Sequence, residues 1–161
     1  MEEYVNDEID PKITEIFLRV REKFKEIKDI VSLIKPCFYL HMFSPGFALK
    51  FDEFEKLLGF KPEIVYRSNK EVYAISAIYR IDDDITTGII AHEFAEILAK
   101  EKGIDDHVEV DRICIEKGFG EHLLYALQSD FLPGMVERVF IDREDLQKRI
   151  RNLRDQLNSQ K

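Results

Sequence analysis

Residues 86–120 read TTGIIAHEFAEILAKEKGIDDHVEVDRICIEKGFG, and they decide the fold because nearly every side chain able to do metal chemistry lies among them. The stretch reads as two helices. The first is expected to begin at Thr86 or Thr87, whose hydroxyl would cap free backbone N–H groups, and to stop at Gly103. The second opens at Asp105 or Asp106, acids suited to the positive end of a helix, and ends at Gly118. On the first helix His92 and Glu96 stand four apart, so both project from one face and can grip one cation. His107 and Asp111 repeat that spacing on the second. In a tight antiparallel pair, a rise of about 1.5 Å per residue puts Asp111 nearer the level of Glu96 and His107 about one turn closer to the loop. His107 then approaches easily only if the first helix ends early, near Ala99. The third ligand is therefore His107 or Asp111, while Glu109 faces elsewhere and reads as surface.

Composition bounds the class. A chain of 161 residues with 45% hydrophobic and 35% charged residues suits one globular domain, 1–161, with a continuous core. A formal charge of -8 without a clustered Lys/Arg patch argues against nonspecific nucleic-acid binding, which needs cations for phosphate. No apolar run approaches the roughly 20 residues of a membrane span, and no charged start leads into one, so the expectation is a cytoplasmic protein with no membrane partner. Cys37 and Cys114, both flanked by apolar residues, read as buried reduced thiols.

Ahead of the organising stretch, Ile13, Ile16, Phe17, Val20, Phe24, Ile27, Ile30, Val31 and Ile34 recur at helical spacing, predicting one helix from near Pro11 to the stop at Pro36. Residues 37–43 (CFYLHMF) read as a buried strand in which His41 is a hydrogen-bonded core histidine. A short amphipathic helix is expected over 48–58, ending at Gly59. Residues 62–67 (PEIVYR) and 71–81 (EVYAISAIYRI) then form an antiparallel hairpin about Ser68-Asn69-Lys70. A strand beside the ligand-bearing helix can offer its edge to an extended peptide. The three acids at 82–84 read as a solvated loop with one near a helix N-terminus.

After Gly120, residues 121–131 (EHLLYALQSDF) continue as a helix with Leu123, Leu124 and Leu127 in the core, and Leu132-Pro133-Gly134 as a turn. His122 is a surface histidine by position or, nearer the site, an oxyanion stabiliser. Asp142 reads as an N-cap for a charged helix whose Leu146, Ile150, Leu153 and Leu157 form a narrow stripe. That stripe is expected to pack on the N-terminal helix or on a second copy of the chain, giving a homodimer.

At residues 90–98, IAHEFAEIL, the chain resembles the active-site helix of zincin metallopeptidases, whose HExxH signature is flanked by aliphatic residues. The resemblance implies His92 as first zinc ligand and Glu93 as the base that activates a metal-bound water. Glu96 stands where the family has its second histidine. In the gluzincin branch a downstream helix carries ExxxD, with the Glu as third ligand and the Asp bracing a ligand histidine. His107-Val-Glu-Val-Asp111 is similar to that helix, with His107 in the Glu place. Two imidazoles and one carboxylate are thus retained, a set suited to zinc, nonhaem iron or another divalent transition metal.

The expected fold is α+β and zincin-like: an N-terminal helix, a small mainly antiparallel sheet, the metal-bearing helix pair and C-terminal helices. The expected function is a metal-dependent hydrolase, a zinc peptidase acting on a peptide or protein. The alternative is a noncatalytic, degenerate zincin-like module acting through protein contacts.

Overall fold

The structure, a computed structural model, describes residues 11–37, 40–42, 44–79, 82–129 and 143–160. Its described helices are α1 (Pro11–Lys23), α2 (Phe51–Leu58), α3 (Asp83–Glu101), α4 (His107–Glu116), α5 (Gly120–Gln128) and α6 (Arg143–Ser159). Four strands, β1 (Val31–Ile34), β2 (Gly46–Lys50), β3 (Ile64–Tyr66) and β4 (Tyr73–Ala77), form one sheet in the order β2-β4-β1-β3. The α+β class holds, but the sheet is mixed: β1 runs parallel to β4, while β2–β4 and β1–β3 are antiparallel.

Helix α3 is the axis of the molecule. It is buried nearly all round, from Ile89, Ile90 and Ala91 to Phe94, Ile97 and Leu98, the pattern of a helix with neighbours on every side. It packs against α1, α4, α5, β2 and β4. On the α1 side Phe94 meets Phe17 and Phe24 at centroid separations of 5.3 and 5.2 Å. On the α5 side the backbones come so close that a Cβ on Gly88 would lie 2.3 Å from the His122 carbonyl oxygen. Only glycine permits that approach.

Several sequence expectations are corrected. The N-terminal helix ends at Lys23, and residues 31–34 are strand rather than its last turn. Val31, Ser32, Leu33 and Ile34 are all buried, and a strand covered on both faces lacks the apolar/polar alternation that would set it apart from the end of a helix. Arg21 Nε donates to the Lys28 carbonyl at 3.1 Å, tying the chain as it leaves the helix.

The hairpin does not form, because β1 lies between β3 and β4. The first residues of the proposed 48–58 helix belong to edge strand β2, and α2 starts only at Phe51, where Glu53 accepts from the Lys50 backbone N–H at 2.9 Å. Gly59 caps it with φ 80°, as expected. Of the proposed strand at 37–43, residues 40–42 form a single 3-10 turn, and 38, 39 and 43 lie outside the described residues.

Helix α3 begins three residues earlier than expected, with Asp82 as cap: its side chain accepts from the Asp84 and Ile85 N–H groups. Thr86 and Thr87 hydroxyls instead donate back to the Asp82 and Asp83 carbonyls, as residues already inside the helix do. The acidic run is thus a helix start. Helix α4 opens behind Asp106, which caps Val108 N–H at 3.0 Å.

The stripe of α6 is buried at Leu146, Ile150 and Leu153, but it packs on α4 and α5 rather than on α1. The Asp142 cap and the 132–134 turn fall outside the described residues. Cys114 is fully buried and Cys37 only half-buried; both are free thiols. Among the described residues no helix is long and apolar enough to cross a membrane.

Candidate metal centre

His92, Glu93 and Glu96 come from the middle of α3, and His107 from the first position of α4. His92 Nε2 lies 3.3 Å from Glu96 Oε1, and His107 Nδ1 lies 3.9 Å from the same oxygen. One carboxylate therefore sits between two imidazoles. The His92 and Glu96 side chains are 21% and 27% exposed and His107 is 69% exposed, so two of the three are anchored by the fold and the third is a surface arm.

His107, not Asp111, reaches the level of Glu96, although α3 does not end early. The connection is not a tight reversal. After Gly103 (φ 71°) the chain turns inward, Ile104 N–H bonding to the Ala99 carbonyl at 2.8 Å, and it stays extended to Asp106 (φ -140°, ψ 123°). That stretch carries the start of α4 back alongside Glu96, and four residues on, Asp111 meets α6. Both Asp111 oxygens accept from Arg149, at 3.0 Å from Nε and 2.8 Å from Nη2.

Electrostatics separate the carboxylates. Burial pushes the Glu93 carboxyl up to about 7, helped by the Glu96 charge and opposed by His92, Lys100 and Arg149. Glu96 is held below the usual carboxylate range by the hydrogen bond from His92, against its own burial, with the His107 charge adding to the effect. Burial disfavours the His92 imidazolium, but Glu96 and the Glu93 charge outweigh it and its pKa is raised.

Glu93 faces a cleft of about 200 Å³, lined by Ser44, Pro45 and Gly46 on one side and by residues of α3, α5 and α6 on the other. The Gly46 backbone lies against the Glu93 side chain: a Cβ there would come within 3.1 Å of Glu93 Cγ and 2.9 Å of Ile89 Cγ2. His41 fixes this rim. Its Nδ1 donates to the Ser44 carbonyl at 2.9 Å, which can only accept, and its Nε2 is hydrogen-bonded to the Ser76 hydroxyl at 2.8 Å. The core-histidine reading of His41 therefore holds.

Two residues that sequence reasoning did not single out complete the cleft. Arg149 lines it from α6, beside His92 and Glu93, and Gly46 forms its rim. Neither carries a sequence signal: Arg149 is one of many cations in α6, and Gly46 falls between the stretches read as strand (37–43) and helix (48–58). His122 is not at this cleft. It faces Asp84 at 3.7 Å near the start of α3, eight residues before His92.

Among the described residues no three His, Cys, Asp or Glu side chains are already drawn into coordination distance of one point. In chemistry alone, two imidazoles and a carboxylate are donor types that a divalent transition metal takes. Ligand atoms about 2.0–2.1 Å from a tetrahedral zinc are about 3.4 Å apart. The His92–Glu96 separation of 3.3 Å matches that edge, and the His107–Glu96 separation of 3.9 Å is about half an ångström longer than it. His92 Nδ1 is buried without a hydrogen-bond partner, so the acceptor that usually orients a ligand histidine is missing among the described residues.

Comparison with known proteins returns no match, whether to family models, to curated proteins or to solved structures.

Proposed function

We propose that this protein is a zincin-like, metal-dependent peptide hydrolase in which His92, Glu96 and His107 hold zinc or another divalent transition metal and Glu93 is the general base. The observation that carries this reading is the Glu96 carboxylate poised between the His92 and His107 imidazoles, with Glu93 next to them facing the cleft. The edge strand β2, antiparallel to β4 and packed along α3, is in keeping with the resemblance in the HEFAE stretch.

Zinc in such a site supplies Lewis acidity, bringing a water's pKa to about 7. The residues of the chain divide the remaining work. Glu93, its carboxyl pushed up to about 7 by burial, is matched to accept a proton near neutral pH and return it to a leaving amine. Glu96, held below the usual carboxylate range, stays ionised and gives the site a permanent negative charge. Ile89, Leu123, Leu127 and Leu146 give the cleft an apolar lining that leaves water few partners. The cleft is smaller than the roughly 300–1,000 Å³ of pockets that enclose a whole drug-sized ligand. It suits one apolar side chain of an extended substrate.

Glu93→Gln provides the test. The variant is expected to keep stoichiometric metal, by elemental analysis, and to lose hydrolysis of a mixed peptide library by at least a hundredfold. Unchanged turnover removes Glu93 as the base. A purified, folded wild-type protein that takes up neither zinc nor iron, and cleaves nothing, favours the noncatalytic interaction module instead.

A further inference from the structure

Among the described residues Arg149 is the one arginine or lysine lining the cleft, and its geometry is set before any ligand arrives. Its side chain is 14% exposed, and Asp111, 3% exposed, takes the Nε and one Nη2 hydrogen in a two-point grip. A guanidinium has five N–H donors. Two are spent on Asp111, and Nη1 has no partner among the described residues. A planar donor held in one orientation on a water-poor wall is suited to carboxylate oxygens, and the rigid fork loses little entropy on binding them.

The shape of the cleft says where such a carboxylate belongs. Gly46 brings backbone close to Glu93 at one rim, and Leu123 and Leu127 of α5 and Leu146 of α6 give the cleft apolar walls. The space of about 200 Å³ takes one apolar side chain and little more. A substrate whose last side chain fills that space brings its terminal carboxylate into the cleft that Arg149 lines, where a buried negative charge needs N–H donors.

We propose that the cleft recognises the free C-terminus of a peptide whose last side chain is apolar, with Arg149 as the residue that anchors the terminal carboxylate and Asp111 as the residue that positions Arg149. That the bound molecule is cleaved next to this last residue rests on the hydrolase reading above. The carboxylate site itself does not.

The probes are N-acetyl-leucine and N-acetyl-leucinamide, titrated into the wild-type protein by NMR or calorimetry, with and without a chelator. The acid is expected to bind at least tenfold more tightly than the amide in both conditions. Because Arg149→Gln alone leaves Asp111 buried without its partner, it is paired with Asp111→Asn, so that both charges go together. In the double variant, checked for folding by circular dichroism, the preference for the acid is expected to vanish. Equal binding of acid and amide overturns the proposal. So does a preference that survives in the double variant, or one that exists only before chelation and therefore belongs to the metal. No step of the experiment requires turnover: intact acid binding with no peptide cleavage would sink the hydrolase reading and leave this site standing.

Discussion

Asp111 on α4 and Arg149 on α6 grip each other through two parallel hydrogen bonds, 3.0 and 2.8 Å long, and both side chains are largely buried. The pair clamps the C-terminal helix over the cleft wall. Breaking one side leaves a buried charge alone, which typically costs about 3–5 kcal/mol. Asp111→Ala is therefore expected to lose about that much stability in urea unfolding, whereas the neutral pair Asp111→Asn with Arg149→Gln recovers most of it. If Asp111→Ala is within about 0.5 kcal/mol of wild type, the clamp contributes nothing.

The same arrangement separates the two candidates for third ligand. His107 lies 3.9 Å from Glu96 Oε1 and is free to swing, while Asp111 has both oxygens on Arg149. His92→Ala and Glu96→Ala are expected to abolish stoichiometric zinc. His107→Ala is expected to weaken it by at least tenfold, about 1.4 kcal/mol, and Asp111→Asn to leave it bound. Competition with a fluorescent chelator measures each affinity. Zinc that survives His107→Ala and disappears with Asp111→Asn would reassign the ligand.

Much of this was legible in sequence, and the losses have physical causes. Spacing on single helices is local, so the shared face of His92 and Glu96 and the Asp106 and Gly118 boundaries of α4 could be read directly. The level at which α4 meets α3 depends on the path of residues 103–106, which the arithmetic of a tight turn misjudged. Strand pairing is nonlocal: β3 and β4 look like hairpin arms, and nothing in their residues announces that β1 inserts between them. Val31 to Ile34 misled for a related reason, since a strand covered on both faces has no alternation to betray it. Arg149 was hidden because a cation in a charged helix looks solvated until its buried partner is known.

Gly46 is a second nonlocal requirement, because its need for a hydrogen in place of Cβ is set by α3. Alanine there would press on Ile89 Cγ2 at 2.9 Å and Glu93 Cγ at 3.1 Å. Gly46→Ala is expected to cost about 1–3 kcal/mol, as overpacking does, and to lower turnover more than it lowers metal content, since Glu93 rather than a ligand is displaced. Thermal unfolding and elemental analysis on one preparation check both. A variant with wild-type stability and wild-type turnover would show that the rim yields freely.

Glu93 gives the metal-free protein a pH signature with a definite sign. Its carboxyl is raised from an ordinary 4.5 to about 7 by burial, with the Glu96 charge adding to the effect. Between those values the folded chain keeps a proton that the unfolded chain has lost, so stability falls as pH rises, then levels off above about 7. At about 1.4 kcal/mol per pH unit, the full drop is on the order of 3 kcal/mol. Two neighbours act in other windows. The raised pKa of His92 contributes stability that is lost only as pH climbs above the ordinary histidine value, and the lowered pKa of Glu96 contributes stability that is lost only as pH falls below the ordinary carboxylate value. Glu93→Gln removes the Glu93 titration, because glutamine cannot ionise, and with it the Glu93 charge that helps raise His92 at higher pH. Urea unfolding of chelated wild type and variant at pH 4, 5, 6 and 7 is expected to show the difference between them changing by about that amount across the range. A difference that does not move with pH means that Glu93 is ionised throughout, and the group matched to shuttle a proton near neutrality is then not this one.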